Sequence, residues 1–262
     1  MHIDRPARIS GAEDHELHDL PLGSFLLKGA GKVVLVDVGL GTDAETPTAG
    51  WEEFLSMTCG DFPVQLAATG TTPADVTDIV ITHLHSDHYG WLLDADGAEM
   101  FPTAHLWIGQ GDLTHFGEVA EGNMRITEPM QTLFAQLDRE GRFHPVVDII
   151  ALSDTVAVHP APGHTPGHLV VRAESAGQTL WMFGDAITVP HQLETPAWHS
   201  CGDLDPELAQ NTREALWAEL EKPNTWGVGS HFPHLIPGSV LIADSRRWAA
   251  ATPADPITTQ QH

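Results

Sequence analysis

The feature that most constrains this chain is the stretch Thr82-His83-Leu84-His85-Ser86-Asp87-His88-Tyr89-Gly90, which follows directly on Val76-Thr77-Asp78-Ile79-Val80-Ile81. The apolar run is short and β-branched, so it reads as a buried strand, and the histidines begin where it ends. An α/β sheet carries its chemistry at that end. Side chains two apart in extended backbone point the same way, so His83 and His85 can present two imidazoles to one point. Asp87 and His88 fall in the turn beyond and can face a second point nearby. Three imidazoles and a carboxylate within six residues suit a first-row divalent metal, with zinc the default. Taken singly, His85 and His88 would be solvated loop histidines and Asp87 a helix cap. Clustered at a strand end, they have no common structural use.

This arrangement resembles the H-x-H-x-D-H signature of the metallo-β-lactamase superfamily. The resemblance implies further ligands from distant points: a His in a Gly-rich turn, an Asp after a later strand and a His near the end.

Composition narrows the partners. A chain of 262 residues can bury a substantial core, and an α/β fold of this length is commonly one domain, here expected over residues 1–262. The balance of 12 Lys and Arg against 36 Asp and Glu gives a formal charge of -24. Such a surface repels phosphate backbones and anionic membranes, so the expected partner is a small-molecule substrate, with no nucleic acid and no membrane. A homodimer is left open. No segment approaches the ~18 apolar residues that span a bilayer, and Met1-His2-Ile3-Asp4-Arg5-Pro6 has no apolar run behind its charges. A cytoplasmic location is the expectation. Cys59 and Cys201 form no C-x-x-C pattern, so any metal must be held by His and carboxylate.

In chain order, residues 1–20 read as an irregular arm. Pro21–Lys28 and Lys32–Asp37 read as strands joined by Gly29-Ala30-Gly31, a hairpin signal. The lone G-x-G of Asp37-Val38-Gly39-Leu40-Gly41 is a tight turn rather than a dinucleotide site. Residues 42–60 read either as an extended loop over a site mouth or as a short helix at an edge. A short helix is expected from Asp61 to Thr69, and His105 is expected as a packed core histidine within the strand Ala104–Ile108. Gly111 to Phe116 begins a helix. Met130, Leu133, Phe134 and Leu137 recur at the helical period. Val146–Leu152 and Thr155–His159 read as strands. Next, Pro160-Ala161-Pro162-Gly163-His164-Thr165-Pro166-Gly167-His168 is a rigid turn able to aim one imidazole. Gln178–Phe183 is a strand ending in Gly184-Asp185, and Asp185 alone could be an ordinary turn residue. Asp205-Pro206 caps a helix running to about Leu220. Thr225–Ser230 is the last strand before His231. The tail from Thr252, residues 252–262, is expected to be disordered.

The three distant points the resemblance requires occur in order, from about residue 20 to 245. The resemblance therefore implies an α+β fold, the αββα sandwich: two mixed β-sheets packed face to face with helices on the outer faces. It implies that His83, His85 and His164 hold one metal and Asp87, His88 and His231 the other, with Asp185 bridging. Asp37 and His168 would lie just behind the ligands. Two Zn2+ ions are implied, with Mn, Co or Fe as substitutes. The implied activity is a hydrolase in which a metal-bridging hydroxide attacks an ester, lactone or phosphotriester of a small, fairly apolar substrate. Asp185 would hold the cations together, and Asp87 would relay a proton to the leaving group. Within the superfamily the tract from Gly184 to Pro233 looks most like the group of N-acyl-homoserine lactonases and methyl-parathion-type hydrolases. Lactonases of that kind carry a Tyr three residues after the bridging Asp; here Thr188 stands there, and Tyr89 is the only tyrosine. His191, Trp198 and His199 either line the pocket or are surface loop residues. With Trp91 and Thr188 they are the candidate substrate contacts, and Trp51, Phe62, Trp91, Phe116 and Trp198 would make the mouth apolar. The alternatives are a thioester hydrolase of the glyoxalase II kind or a mononuclear iron persulfide dioxygenase.

Overall fold

The computed structural model describes residues 7–10, 17–42, 55–56, 60–119, 125–242, 245–252 and 255. Strands β3 (Phe25–Gly29) and β4 (Lys32–Val36) form the expected hairpin. Their two-residue turn takes Ala30 at φ 50° and Gly31 at φ 74°, the twist that matches flanking strands. β6 (Asp78–Ile81), β7 (His105–Gly109) and β8 (Phe143–Val146) add in parallel, giving a five-stranded sheet of order β3-β4-β6-β7-β8. The second sheet orders seven strands as β15-β14-β13-β12-β11-β10-β9. These are β9 (Ile150–Ala151), β10 (Val156–Pro160), β11 (Leu169–Ser175), β12 (Gln178–Met182), β13 (Thr225–Val228), β14 (Gly238–Ile242) and β15 (Arg246–Ala250). All its pairs are antiparallel except β12 with β13.

Burial on both faces explains the continuous apolar run of β6. Val80 packs with Val34, Val36 and Val146 against Val158, Val171 and Met182 of the second sheet. Ile79 and Ile81 point the other way, with Leu35, Leu106 and Ile108, onto Met130, Leu133, Phe134 and Leu137 of helix α4 (Glu128–Arg139). Each such side chain contributes about 1.5–3 kcal/mol on burial. Helix α6 (Pro206–Leu220) is capped as expected, with the Asp205 carboxylate accepting from Leu208 N at 3.0 Å. It adds Leu216, Trp217 and Leu220 to the inter-sheet cluster. The molecule is thus the expected sandwich of two mixed sheets with helices. No helix of the described residues is long and apolar enough to cross a membrane.

Four expectations need correction. Residues 1–20 are not wholly irregular: β1 (Ala7–Ser10) and β2 (Leu17–Leu20) pair with each other and with β5 (Leu55–Ser56). A partner so far along the chain leaves no trace in local composition. That short strand also replaces any helix at its own position; the rest of the 42–60 reading lies largely outside the described residues, as does most of the tail. Val146–Leu152 is not one strand. The chain leaves the first sheet after Val146 and enters the second at Ile150, with Val147 and Ile149 67% and 62% exposed in between. His105 is half-buried rather than core, its ring stacked on that of His144 at 5.0 Å.

Candidate metal centre

The candidate residues gather where strands of both sheets end. The loop after β6 carries His83 and His85, and the short helix α2 (Ser86–Tyr89) carries Asp87 and His88. Asp37, just past β4, takes the left-handed conformation (φ 58°) that Asp tolerates better than most residues. Its carboxylate accepts from Thr82 N at 2.7 Å, the Thr82 hydroxyl at 2.9 Å, His88 Nδ1 at 2.8 Å and the Ser230 hydroxyl at 3.2 Å. Because the Thr82 proton is given to Asp37, its oxygen is free to accept from His83 Nδ1, 3.1 Å away. His164 Nδ1 donates to Asp203 at 3.0 Å, and His231 Nδ1 donates to the Pro21 carbonyl at 2.8 Å. In all four rings the outer nitrogen has an acceptor for its proton, which leaves Nε2 to face inward and to offer a lone pair whenever the ring is neutral.

Three overlapping groups could hold a metal ion: His83, His85 and His164; His83, His88 and Asp185; and Asp87, His88 and His231, the ligand atoms of each within 4.8 Å of one another. His85 approaches by Nδ1, 2.9 Å from His83 Nε2 and 3.2 Å from His164 Nε2. Asp185 faces both sides. Its Oδ2 lies 3.6 Å from His164 Nε2, while Oδ1 lies 3.1 Å from His231 Nε2 and 3.6 Å from His88 Nε2. His88 Nε2 and Asp185 Oδ1 are buried without a hydrogen-bond partner. A ring nitrogen and a carboxylate oxygen left without partners this close together suit a positive charge shared between them.

The electrostatics divide the cluster. Burial, with neighbouring imidazoles adding, holds His83 well below its ordinary range, and burial and His164 take His85 down to about 3. Both stay neutral and able to donate lone pairs. At His88 burial works in the same direction, but Asp87, Asp37 and Asp185 outweigh it and raise the ring to about 10. His231 rises to about 9 against burial, through Asp185 and then Asp87. Burial pushes Asp185 up, yet His231 and His88 hold it well below the carboxylate range. The side lined by Asp37, Asp87 and Asp185 demands positive charge, which protons or a divalent cation can supply.

Several functional partners left no sequence signal. Asp112, in the helix α3 (Gln110–Thr114), is fully buried among the loops that carry His83, His85 and His164. Burial raises its carboxyl, against hydrogen bonds from Thr165, Gly167 and Leu84. Asp203 accepts from His164 on one oxygen and from Arg213 Nη1 on the other, at 3.1 Å. Arg213 therefore stands directly behind a candidate ligand. His168 sits immediately before β11, and its Nε2 accepts from the backbone N–H of Asp185 at 3.0 Å and of Ala186 at 3.1 Å. The helix beginning at α3 continues as a wider π turn through Val119, setting Phe116 against His85 at 5.6 Å between ring centres.

The expected substrate contacts separate. Thr188 is buried and its hydroxyl donates to the Asp185 carbonyl at 3.3 Å. His191 and Trp198 contact each other at 4.6 Å, with Trp198 51% exposed. His199 Nδ1 accepts from Arg213 Nη2 at 3.3 Å. Trp91 stacks on Phe62 at 6.5 Å. Phe116 is fully buried rather than at a mouth, Tyr89 packs in the cluster under α4, and Trp51 lies outside the described residues.

A sequence model of the Metallo-beta-lactamase superfamily matches residues 23–231. The chain belongs to that superfamily. It is 28% identical over 81 residues to N-acyl homoserine lactonase AiiB of Agrobacterium fabrum (strain C58 / ATCC 33970), a match covering 28% of this chain and 29% of the lactonase. Similarity to that lactonase is therefore confined to under a third of its length. Among solved structures, this superfamily member is similar to AidC, a dizinc quorum-quenching lactonase in complex with a product (23% identity, TM-score 0.71, 91% of this chain and 82% of AidC covered). It is similar to the hydrolase AbOPH of the beta lactamase superfamily (22% identity, TM-score 0.74, 94% and 84% covered). An N-acyl homoserine lactone hydrolase with N-hexanoyl-L-homoserine bound at its catalytic metal centre gives 18% identity and a TM-score of 0.70 over 88% of this chain and 91% of that one. At these identities the structural likeness establishes the fold.

Proposed function

We propose that this superfamily member is a single-domain, dinuclear metal-dependent hydrolase of an ester, lactone or phosphotriester bond in a small, fairly apolar substrate. The observation that carries the reading is the orientation of Asp185, with Oδ2 toward His164 and Oδ1 toward His88 and His231. His83, His85 and His164 would hold one cation, Asp87, His88 and His231 the other, and Asp185 both. Two divalent cations there, zinc by default with Mn, Co or Fe as substitutes, would supply a water of lowered pKa and a Lewis acid for the substrate oxygen. The chain's own residues do the remaining work. Asp37, Asp203 and Pro21 fix the ring orientations, so the lone pairs need no rearrangement to converge. Asp87 has a side chain 16% exposed, with Oδ2 3.6 Å from both His88 Nε2 and His231 Nε2. It can hold a proton on the way to the leaving oxygen.

The likeness to the lactonases AiiB and AidC and to the hydrolase AbOPH supports hydrolysis of a neutral lactone or a related bond. The anionic glutathione conjugates taken by thioester hydrolases and persulfide dioxygenases of this fold call for an uncommitted cation. Arg213 is paired with Asp203, Arg172 with Glu174 and Lys222 with Glu219. Thr188 offers no phenol, and losing one donor to a developing oxyanion costs about a hundredfold in rate or more. Activated aryl esters and phosphotriesters should therefore outrun acyl-homoserine lactones. The test is a metal count beside a substrate panel. Two cations per chain and turnover of at least one of the three bond classes are expected. One cation per chain, or no turnover of any class by the loaded protein, overturns the reading.

A further inference from the structure

We infer that Asp112 is a positioning residue for the His83, His85 and His164 group, clamping together the two loops that carry it. The inference rests on the metal-dependent reading above. Asp112 Oδ2 accepts from Leu84 N at 2.9 Å and from the Thr165 hydroxyl at 2.9 Å, and Oδ1 accepts from Gly167 N at 2.6 Å. Leu84 lies between His83 and His85, and Thr165 follows His164. The first loop leaves the five-stranded sheet and the second leaves the seven-stranded sheet. One carboxylate therefore spans the seam between the halves.

The backbone is built to allow it. A Cβ at Gly109 would lie 1.7 Å from the Gly167 carbonyl oxygen, and one at Gly167 would lie 2.2 Å from Asp112 N. Only glycine lets the start of α3 lie this close to the His164 turn. Both oxygens of Asp112 face donors, so an amide in its place must turn its NH2 against an N–H or O–H on one side. The other group is held by different means, His88 by Asp37 and His231 by Pro21. Loss of the clamp should therefore weaken one metal site and spare the other.

The test is zinc titration in competition with a chromophoric chelator on wild-type, Asp112→Asn, Thr165→Val and Thr165→Ser proteins, with the unfolding temperature of each measured free of metal. Asp112→Asn should weaken one of the two zinc equivalents about tenfold or more and leave the other unchanged. Thr165→Val removes one of the three donors and should weaken the same equivalent about three- to tenfold, the worth of one hydrogen bond. Thr165→Ser keeps the hydroxyl and should match wild type. If Asp112→Asn does not fold, the Val and Ser pair decides. Equal weakening of both equivalents together with a lower metal-free unfolding temperature would make Asp112 a structural residue and overturn the inference. Retention of both equivalents would overturn it as well. Wild-type protein that takes up no zinc removes the metal reading, and the inference with it.

Discussion

Arg213 is the largest of the fully buried side chains, and a guanidinium is tolerated in such a place only when its charge is matched. The match is Asp203. Burial works to raise that carboxyl, but His164 and Arg213 hold it below the ordinary carboxylate range. Replacing Arg213 by Met leaves Asp203 charged, buried and half-partnered, which should cost about 3–5 kcal/mol in chemical denaturation. Asp203→Asn in the same chain should return part of that loss. A single variant as stable as wild type would mean that Asp203 is already neutral in the folded protein. Local spacing made His83, His85, Asp87 and His88 legible in the sequence, because their geometry is dictated within one strand end and one turn. Asp112 and Asp203 were not legible. Their partners lie 28, 53 and 55 residues away for Asp112 and 39 residues away for the Asp203 bond to His164, distances at which no pattern survives in the sequence.

Among elements, β6 is held at both ends by carboxylates. Its C-terminal end meets Asp37, and at its N-terminal end Asp78 accepts from Lys32 at 2.8 Å, from Thr77 at 2.7 Å and from Trp107 Nε1 at 3.1 Å. Burial works to raise the Asp78 carboxyl, but these bonds leave it below the ordinary carboxylate range. A depressed carboxyl binds fewer protons folded than unfolded, so its stabilising contribution is complete above the unfolded pKa. It is lost as pH falls through the folded pKa. The denaturation midpoints of metal-free wild type and Asp78→Asn should therefore differ by a constant amount above about pH 5 and converge below the unfolded value. A gap that widened on acidification would contradict this assignment. The strands and helices with a clear period, β3, β4, β6, α4 and α6, could be read directly. The crossover at Val147–Ile149 could not, since two exposed apolar residues imitate a strand, and β1 is paired on its other side with the distant β5.

At the scale of the molecule, a formal charge of -24 works against compaction through self-repulsion. Cations bound only by the folded chain would relieve this where Asp37, Asp87 and Asp185 converge. Removing metal with a chelator should lower the unfolding temperature, and restoring zinc at about a hundred times its dissociation constant should return ~2.7 kcal/mol for each cation bound. An unfolding temperature indifferent to chelation would count against any cation at the site. The family match begins at residue 23 and ends at residue 231, and these two limits touch. Gly23 N donates to Ser230 O at 2.9 Å, beside the bond from His231 to Pro21. His231 thus takes its aim from a carbonyl 210 residues earlier. A ribosome emits this protein from its N-terminus at about 5–20 residues per second. His83, His85 and His164 are all outside before His231 has been translated, so for several seconds the nascent chain owns one complete set of imidazoles and, of the other set, only Asp87 and His88. Whatever ion it meets in that interval meets a centre short of one imidazole, and that last ligand arrives only when the chain has closed its own circle.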